Sequence, residues 1–369
     1  LRQAIISITI GVVAGYIFKF FLFVLLCVSY AKAQIPVGLK ESSLGNSGVA
    51  ISDSSAPSYY NPALLSERHK SYFSLTGTTL TSFKSSKNTE EFRSTKFAPN
   101  YISSIQAFDS FIHEFSLANQ LSVDSSVITP VTDGSKTTNI RSDQYSLAYA
   151  FAFRNFPFGF QVGLRVNENN INLKQSTNDG NIATGVDFDI SQRVADMFVG
   201  FGGIHQLGTH YRFGYKYESP GLNFYKKSDR GGSYYIYNKT DNTFTTGQTQ
   251  GSLTETNLNS QVITIGHSFI VNDHEFLTDS RFLEQQGSKN SYDFYQTFGY
   301  KINFSNKMQY MCGFSQKFSD SPEAFDSNYF STGFSWQTSS LRSTLSGYYA
   351  DGKDDTQSAG ITFGSEFTY

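Results

Sequence analysis

Ala359-Gly360-Ile361-Thr362-Phe363-Gly364-Ser365-Glu366-Phe367-Thr368-Tyr369 is the stretch whose reading decides the fold. Ala359, Ile361, Phe363, Phe367 and Tyr369 fall on one face, interrupted only by Ser365. Gly360, Thr362, Gly364, Glu366 and Thr368 fall on the other. A period of two belongs to a strand, whose side chains alternate between its two sides. One side here is greasy and the other is small or charged, as expected of a wall between lipid and water.

The same pattern recurs upstream. Met308, Tyr310, Cys312, Phe314 and Phe318 alternate with Gln309, Met311, Gly313, Ser315 and Lys317. Tyr292, Phe294, Phe298, Tyr300, Ile302 and Phe304 form another apolar face. So do Phe158, Phe160, Val162, Leu164 and Val166, opposite Gln161, Gly163, Arg165 and Asn167. A soluble sandwich also alternates, but composition favours a membrane barrel. Charged residues are 16% of the chain, below the ~25% of soluble domains. Aromatic residues also reach 16%. Yet mean hydropathy is negative, at −0.32, which a helical membrane bundle would not show and a polar-lined barrel does. The net charge of −2 gives no reason to expect nucleic acid as a partner.

Residues 19–33, KFFLFVLLCVSYAKA, read as a secretory leader. Lys19 is its positive region, Phe20–Val28 its apolar region and Ala31-Lys32-Ala33 its cleavage site. Residues 1–33 are therefore expected to be a signal peptide. Leu26 ahead of Cys27 is too large for a lipidation site. Removal of the leader would take Cys27 with it and leave Cys312 without a partner.

The expected fold is all-β: an antiparallel transmembrane β-barrel over 70–369, with about 14 strands. They are placed at 70–84, 97–108, 111–123, 141–154, 157–174, 183–205, 209–226, 251–271, 273–284, 291–304, 306–318, 327–338, 340–350 and 356–369. The first half of 183–205 could also be loop or helix. Short turns are expected near Asp109-Ser110, Asn155-Phe156, Leu207-Gly208, Asn272-Asp273, Ser305-Asn306 and Ser339-Ser340. Longer polar loops are expected near 85–96, 124–140, 175–182, 227–250, 285–290, 319–327 and 351–355. Alternating short and long connections suit an outer-membrane barrel. The aromatic terminus resembles the signal read by the outer-membrane barrel assembly machinery, a further expected partner.

Residues 34–69 do not alternate. They are rich in Ser, Gly and Ala but carry Leu, Val, Ile and Tyr59-Tyr60 to bury, so a plug in the barrel mouth is expected. Ser43, Gly45, Gly48, Ala50, Asp53, Ala56 and the closing Asn61-Pro62-Ala63 resemble the N-terminal hatch of the FadL/TodX-type outer-membrane transporters of long-chain fatty acids and hydrocarbons. Leu207-Gly208-Thr209-His210-Tyr211, running on to Tyr217-Glu218-Ser219-Pro220, is similar to a strand of that family. The resemblance implies a 14-stranded barrel with an N-terminal hatch, in the outer membrane of a Gram-negative bacterium. It implies passive transport of a hydrophobic small-molecule ligand through a bilayer whose outer leaflet is lipopolysaccharide. It also implies a gating role for Gly45, Gly48, Asn61, Pro62 and Ala63. The wider superfamily includes PorV-like secretion partners, and a general porin is a third reading.

Nothing in the sequence points to an enzyme, a cofactor or a metal site. The six His, at 69, 113, 205, 210, 267 and 274, lack metal spacing. No Gly-x-Ser-x-Gly elbow occurs. His267 and Ser268, adjacent in a strand, point to opposite faces. Gly200, Gly202 and Gly203 lie inside a strand and are read as packing positions. Arg165, Arg212, Lys216 and Lys301 project to the polar face. They are either ordinary lumen charges or holders of a ligand carboxylate headgroup.

Overall fold

In a computed structural model, the described residues are 37–84, 94–131, 134–178, 182–251, 260–285, 291–319, 327–352 and 356–369. The expected signal peptide lies outside them, as do residues 34–36 of the expected plug. Among the described residues, sixteen strands form one sheet. They are β1 Tyr72–Lys84, β2 Ser94–Ala107, β3 Phe111–Val131, β4 Gly134–Phe153, β5 Phe158–Asn178, β6 Ile182–Leu207, β7 Tyr211–Glu218 and β8 Leu222–Asn238. Then follow β9 Thr243–Gly251, β10 Ser260–Val271, β11 His274–Gln285, β12 Ser291–Ser305, β13 Met308–Ser319, β14 Ser327–Gln337, β15 Leu341–Gly352 and β16 Thr356–Thr368.

Fourteen of them, β1–β7 and β10–β16, close an antiparallel barrel. The ring shuts where β1 meets β16, from Tyr72↔Thr368 to Lys84↔Thr356. The predicted alternation sets its two faces. Ile361, Phe363 and Phe367 point outward, while Thr362 and Glu366 are buried on the lumen side. Phe160, Val162 and Leu164 point outward, and Gln161 and Arg165 inward. This outer belt of large apolar side chains, with its polar interior, is a transmembrane surface. Asn155, Gly208 and Asn272 take positive φ at three predicted short turns, a conformation Asn and Gly tolerate.

Two features differ from expectation. The segment expected as one strand over 209–226 is broken at Ser219-Pro220-Gly221. Pro220 has no N–H for the ladder, so β7 ends at Glu218 and the chain resumes beside β6 as β8. Asp196 leaves no room for a side chain at Gly221, whose Cβ would stand 2.2 Å from Oδ1. The loops expected at 124–140, 175–182 and 227–250 are largely strand instead. β3 and β4 pair out to Val131↔Gly134, β5 and β6 out to Asn178↔Ala183, and β8 with β9 forms a hairpin on β6. In β8 every side chain is exposed or half-exposed on both faces, so that extension needs no greasy side. The first half of 183–205 is strand as well. The other expected long loops fall mostly outside the described residues.

One seam parts early. β2 and β3 pair only from Tyr101↔Ala118 to Ala107↔Ile112. Above that level β2 pairs with β1 alone and β3 with β4 alone. Each strand has one extra residue there: Asn100 between the partners of Thr76 and Gly77, and Gln120 between Asn119 and Leu121. Bulges bend the strand that carries them. Pro99 sits on the parted edge, where a missing N–H leaves no gap in a ladder.

The two environments can be separated by charge insertion. Phe363→Arg should destabilise the barrel in lipid vesicles by about 2–4 kcal/mol. Asn170→Arg, on the outer face of the β5 extension, should change urea stability by less than about 0.5 kcal/mol. Equal effects would show that lipid does not bathe the Phe363 face.

Candidate functional site

The residues ahead of β1 fold into short pieces: a 3-10 turn Glu41–Ser43, a helix Pro57–Tyr60 (α1) and a 3-10 helix Pro62–Glu67. Nearly all of residues 37–65 are buried. Buried side-chain acceptors replace a regular ladder. The Glu41 carboxylate accepts from Ser54 Oγ at 2.7 Å and Ser55 N at 2.8 Å. Tyr60 Oη donates to the Val37 carbonyl at 2.8 Å. Asp53 pairs with Lys40 and, at 2.8 Å, with Lys301. Burial pushes the Asp53 carboxyl up, but Lys301, then Lys40 and Arg342, outweigh it and hold it well below the usual carboxylate range.

Partners of this segment lie around most of the ring. Ser58 N donates to Glu114 Oε2 on β3 at 2.9 Å. Gly48 N and Val49 N donate to Asp279 Oδ2 on β11 at 2.7 and 3.0 Å. Ser47 Oγ donates to Thr297 Oγ1 on β12, and Gly45 N to Ser331 Oγ on β14. The Ser42 hydroxyl meets that of Ser346 on β15 at 3.1 Å. Only a segment inside the barrel reaches strands on opposite walls.

The Ser/Gly-rich composition follows from how closely backbone meets wall. Gly45 has φ 66°, and a Cβ on it would stand 2.6 Å from the Phe314 backbone. At Gly202 on β6 a Cβ would fall 2.0 Å from Asn61 Oδ1. That explains a glycine inside a strand. Gly48 lies under the Tyr60 ring, where a Cβ would stand 2.6 Å from Cδ1 and clash.

Of the predicted gating residues, Gly48 meets Tyr60 beside Asn61-Pro62-Ala63, whereas Gly45 rests on the wall at Phe314 and Ser331. Asn61 is fully buried and caps the 3-10 helix, its Oδ1 accepting from Ala63 N at 3.0 Å. Its Nδ2 donates to the Val49 carbonyl at 3.0 Å and to the Gly203 carbonyl of β6 at 2.9 Å. One amide thus ties two stretches of the inner segment to the wall. Pro62 begins the helix, where its missing N–H is harmless, and abuts Gly159 of β5. Ala63 packs with Leu44, Ile51, Leu64 and Met311.

The four predicted cations point inward; Lys216 and Arg165 share the Glu218 carboxylate, while Lys301 and Arg212 bind other acids. Lys301 contacts Ser52 Oγ at 3.0 Å, Asp53 and Glu275. Arg212 donates to the Ile51 carbonyl at 3.2 Å and to Glu67 at 2.7 Å. Lys216 donates to the Tyr59 carbonyl at 2.7 Å and pairs with Glu218 at 3.1 Å. Arg165 lies apart from the inner segment, between Asp196 at 3.1 Å and Glu218 at 3.0 Å. Three of the four therefore fasten the inner segment. Sequence reasoning missed the acidic anchors Glu114, Glu275 and Asp279. All three alternate onto the lumen face, and carboxylates facing a Ser/Gly-rich chain with unpaired N–H groups are the signal that could have found them. His267 and His274 point outward, hydrogen-bonded at 2.7 Å to Tyr211 and Tyr300, while Ser268 points inward to Glu275.

Cavities lie on both sides of the inner segment. One of about 60 Å³ faces the long-loop side and is lined by Val37, Val49, Tyr59, Tyr60, Val262 and Arg281. Another of about 330 Å³ opens among the short turns, where Ser339 and Ser340 meet Arg68, Arg342 and Glu366.

A 14-strand barrel with an N-terminal segment bound across its lumen is the FadL/TodX-type transporter fold. The structure of the CymD monoaromatic hydrocarbon channel superposes with TM-score 0.64 at 12% identity, over 90% of this chain and 98% of that one. The Pseudomonas putida toluene transporter TodX gives 0.60 at 10% identity, over 92% and 99%. A Pseudomonas aeruginosa FadL homologue gives 0.58 at 10% identity, over 93% and 99%. No family model matches the sequence, and no curated protein matches it.

Asn61→Asp should loosen the inner segment more than Asn61→Ala, because a carboxylate would face two carbonyl oxygens. Each buried hydrogen bond left unmade costs about 1–3 kcal/mol. Asp279→Ala should act in the same direction. Planar-bilayer recordings should show ion leakage rising from wild type through Asn61→Ala to Asn61→Asp, with the folded barrel still resisting SDS at room temperature.

Proposed function

We propose that this protein is a passive channel for hydrophobic small molecules in a Gram-negative outer membrane, gated by its inner segment as a hatch. The observation that carries the proposal is the filled lumen. A general porin needs an open aqueous path, whereas here buried hydrogen bonds hold residues 37–67 to strands around the ring. The names of the similar structures, a monoaromatic hydrocarbon channel and a toluene transporter among them, support an apolar cargo.

In this reading, solute enters from the long-loop side and meets the Tyr59, Tyr60 and Val37 surface of the smaller cavity. Onward passage needs either a shift of the hatch or a sideways exit. The parted β2–β3 seam supports the second, because no ladder there has to be broken. Asn61 is the proposed hinge lock, with Gly45 and Gly48 as the points where the hatch rests closest to its surroundings. No energy source is required, since an apolar solute moves down its own gradient.

The test is uptake of radiolabelled toluene and oleate into proteoliposomes. Wild type should exceed protein-free vesicles for at least one apolar solute, and Asn61→Ala should change the rate at least about threefold. Equal uptake by wild type, variant and empty vesicles would overturn the proposal.

A further inference from the structure

The cavity among the short turns carries a site that the hatch does not use. Its lining includes Arg68, Lys70, Arg342, Glu366, Asp53 and Glu67. Two of the three acids are committed to cations outside that lining: Asp53 to Lys40 and Lys301, and Glu67 to Arg212. Asp53 Oδ2 also reaches Arg342 Nη1, at 3.9 Å, and the acid that faces both Arg68 and Arg342 is Glu366.

Its hold on both arginines is loose. Arg68 Nη2 stands 3.6 Å from Glu366 Oε2, and Arg342 Nη1 stands 3.7 Å from Oε1. Direct charge-assisted hydrogen bonds are nearer ~2.7–2.9 Å. Arg68 is 8% exposed, and its Nη2 makes no hydrogen bond; neither does Glu366 Oε2. The guanidinium is held in place over the Tyr72 ring, with Cζ 4.8 Å from the centroid. A buried, oriented guanidinium with a spare donor, beside a second arginine and inside a cavity of about 330 Å³, is equipped to take a planar oxyanion. The volume falls within the roughly 300–1,000 Å³ of small-molecule sites.

We infer that this cavity is an oxyanion site in which Arg68 and Arg342 bind the carboxylate of a small amphiphile. The site stands on its own residues; only the idea that its carboxylate arrives through the barrel rests on the transport reading. Glu366 then acts as a resident competitor. It offsets part of the two arginines' charge when no acid is bound and limits affinity, so that a solute is released and not retained.

Calorimetry on the full-length protein in a non-ionic detergent tests this with octanoate, octanol and inorganic phosphate as probes. Octanoate should bind and octanol should not displace it. Arg68→Gln should weaken octanoate about tenfold or more, the loss expected of a charged hydrogen bond. Glu366→Gln should tighten it, an outcome that damage to the fold would not produce. Competition by phosphate would support a general oxyanion site. Unchanged octanoate affinity in Arg68→Gln, no tightening in Glu366→Gln, or binding of phosphate without octanoate would each overturn the carboxylate assignment. Toluene uptake measured on the same variants reports separately on transport: it should match wild type in Arg68→Gln, because a neutral solute has no charge for this site to hold.

Discussion

A backbone in lipid has no water to bond with, and everything else in this molecule follows from that. Each N–H and C=O in the hydrocarbon layer must find a partner in the chain, so the sheet has to close on itself. The β1–β16 ladder meets that demand over thirteen pairs, from Tyr72↔Thr368 to Lys84↔Thr356. Closure then creates an inside. A ring of this size encloses space that the wall's own side chains do not fill, and polar residues pushed inward by alternation are left to find partners. Residues 37–67 supply them. The buried carboxylates of Glu114, Glu275 and Asp279 would be costly alone, and each receives donors from the inner segment.

The same logic explains why the inner segment has so little regular structure. It is attached by side-chain acceptors reaching into its backbone, not by helices or strands of its own. Its residues must be small where backbone meets wall, as at Gly45 against Phe314, and polar where N–H groups need acceptors. Such a segment is held by many separate bonds of modest worth. Groups of them can break and re-form without unfolding the barrel.

The barrel was legible in the sequence because lipid imposes alternation. Ile361 and Phe363 announce their face, and Asn155, Gly208 and Asn272 announce their turns. The long strands of the β3–β6 region and the β8–β9 hairpin were not legible, since a sheet wetted on both sides carries no such imprint. The grouping of Asn61, Pro62 and Ala63 followed from a local motif. Their partners did not, because Gly48 and Asp279, or Asn61 and Gly203, are brought together by closure over long stretches of chain. The roles of Lys301 and Arg212 were hidden for the same reason: a sequence shows a cation facing inward but not the Asp53 or Glu67 that waits for it.

β6 runs unbroken from Ile182 to Leu207, with 26 residues spanning roughly 85 Å of contour, far more than the ~30 Å hydrocarbon layer. Its upper half is a mast, shared with β5 and β8, that stands clear of the bilayer. Its foot carries the Gly203 carbonyl on which the Asn61 amide hangs. No loop interrupts the path between them. The carbonyl that fixes Asn61 is therefore part of the same continuous strand as the extension above it, and inherits that strand's rigidity.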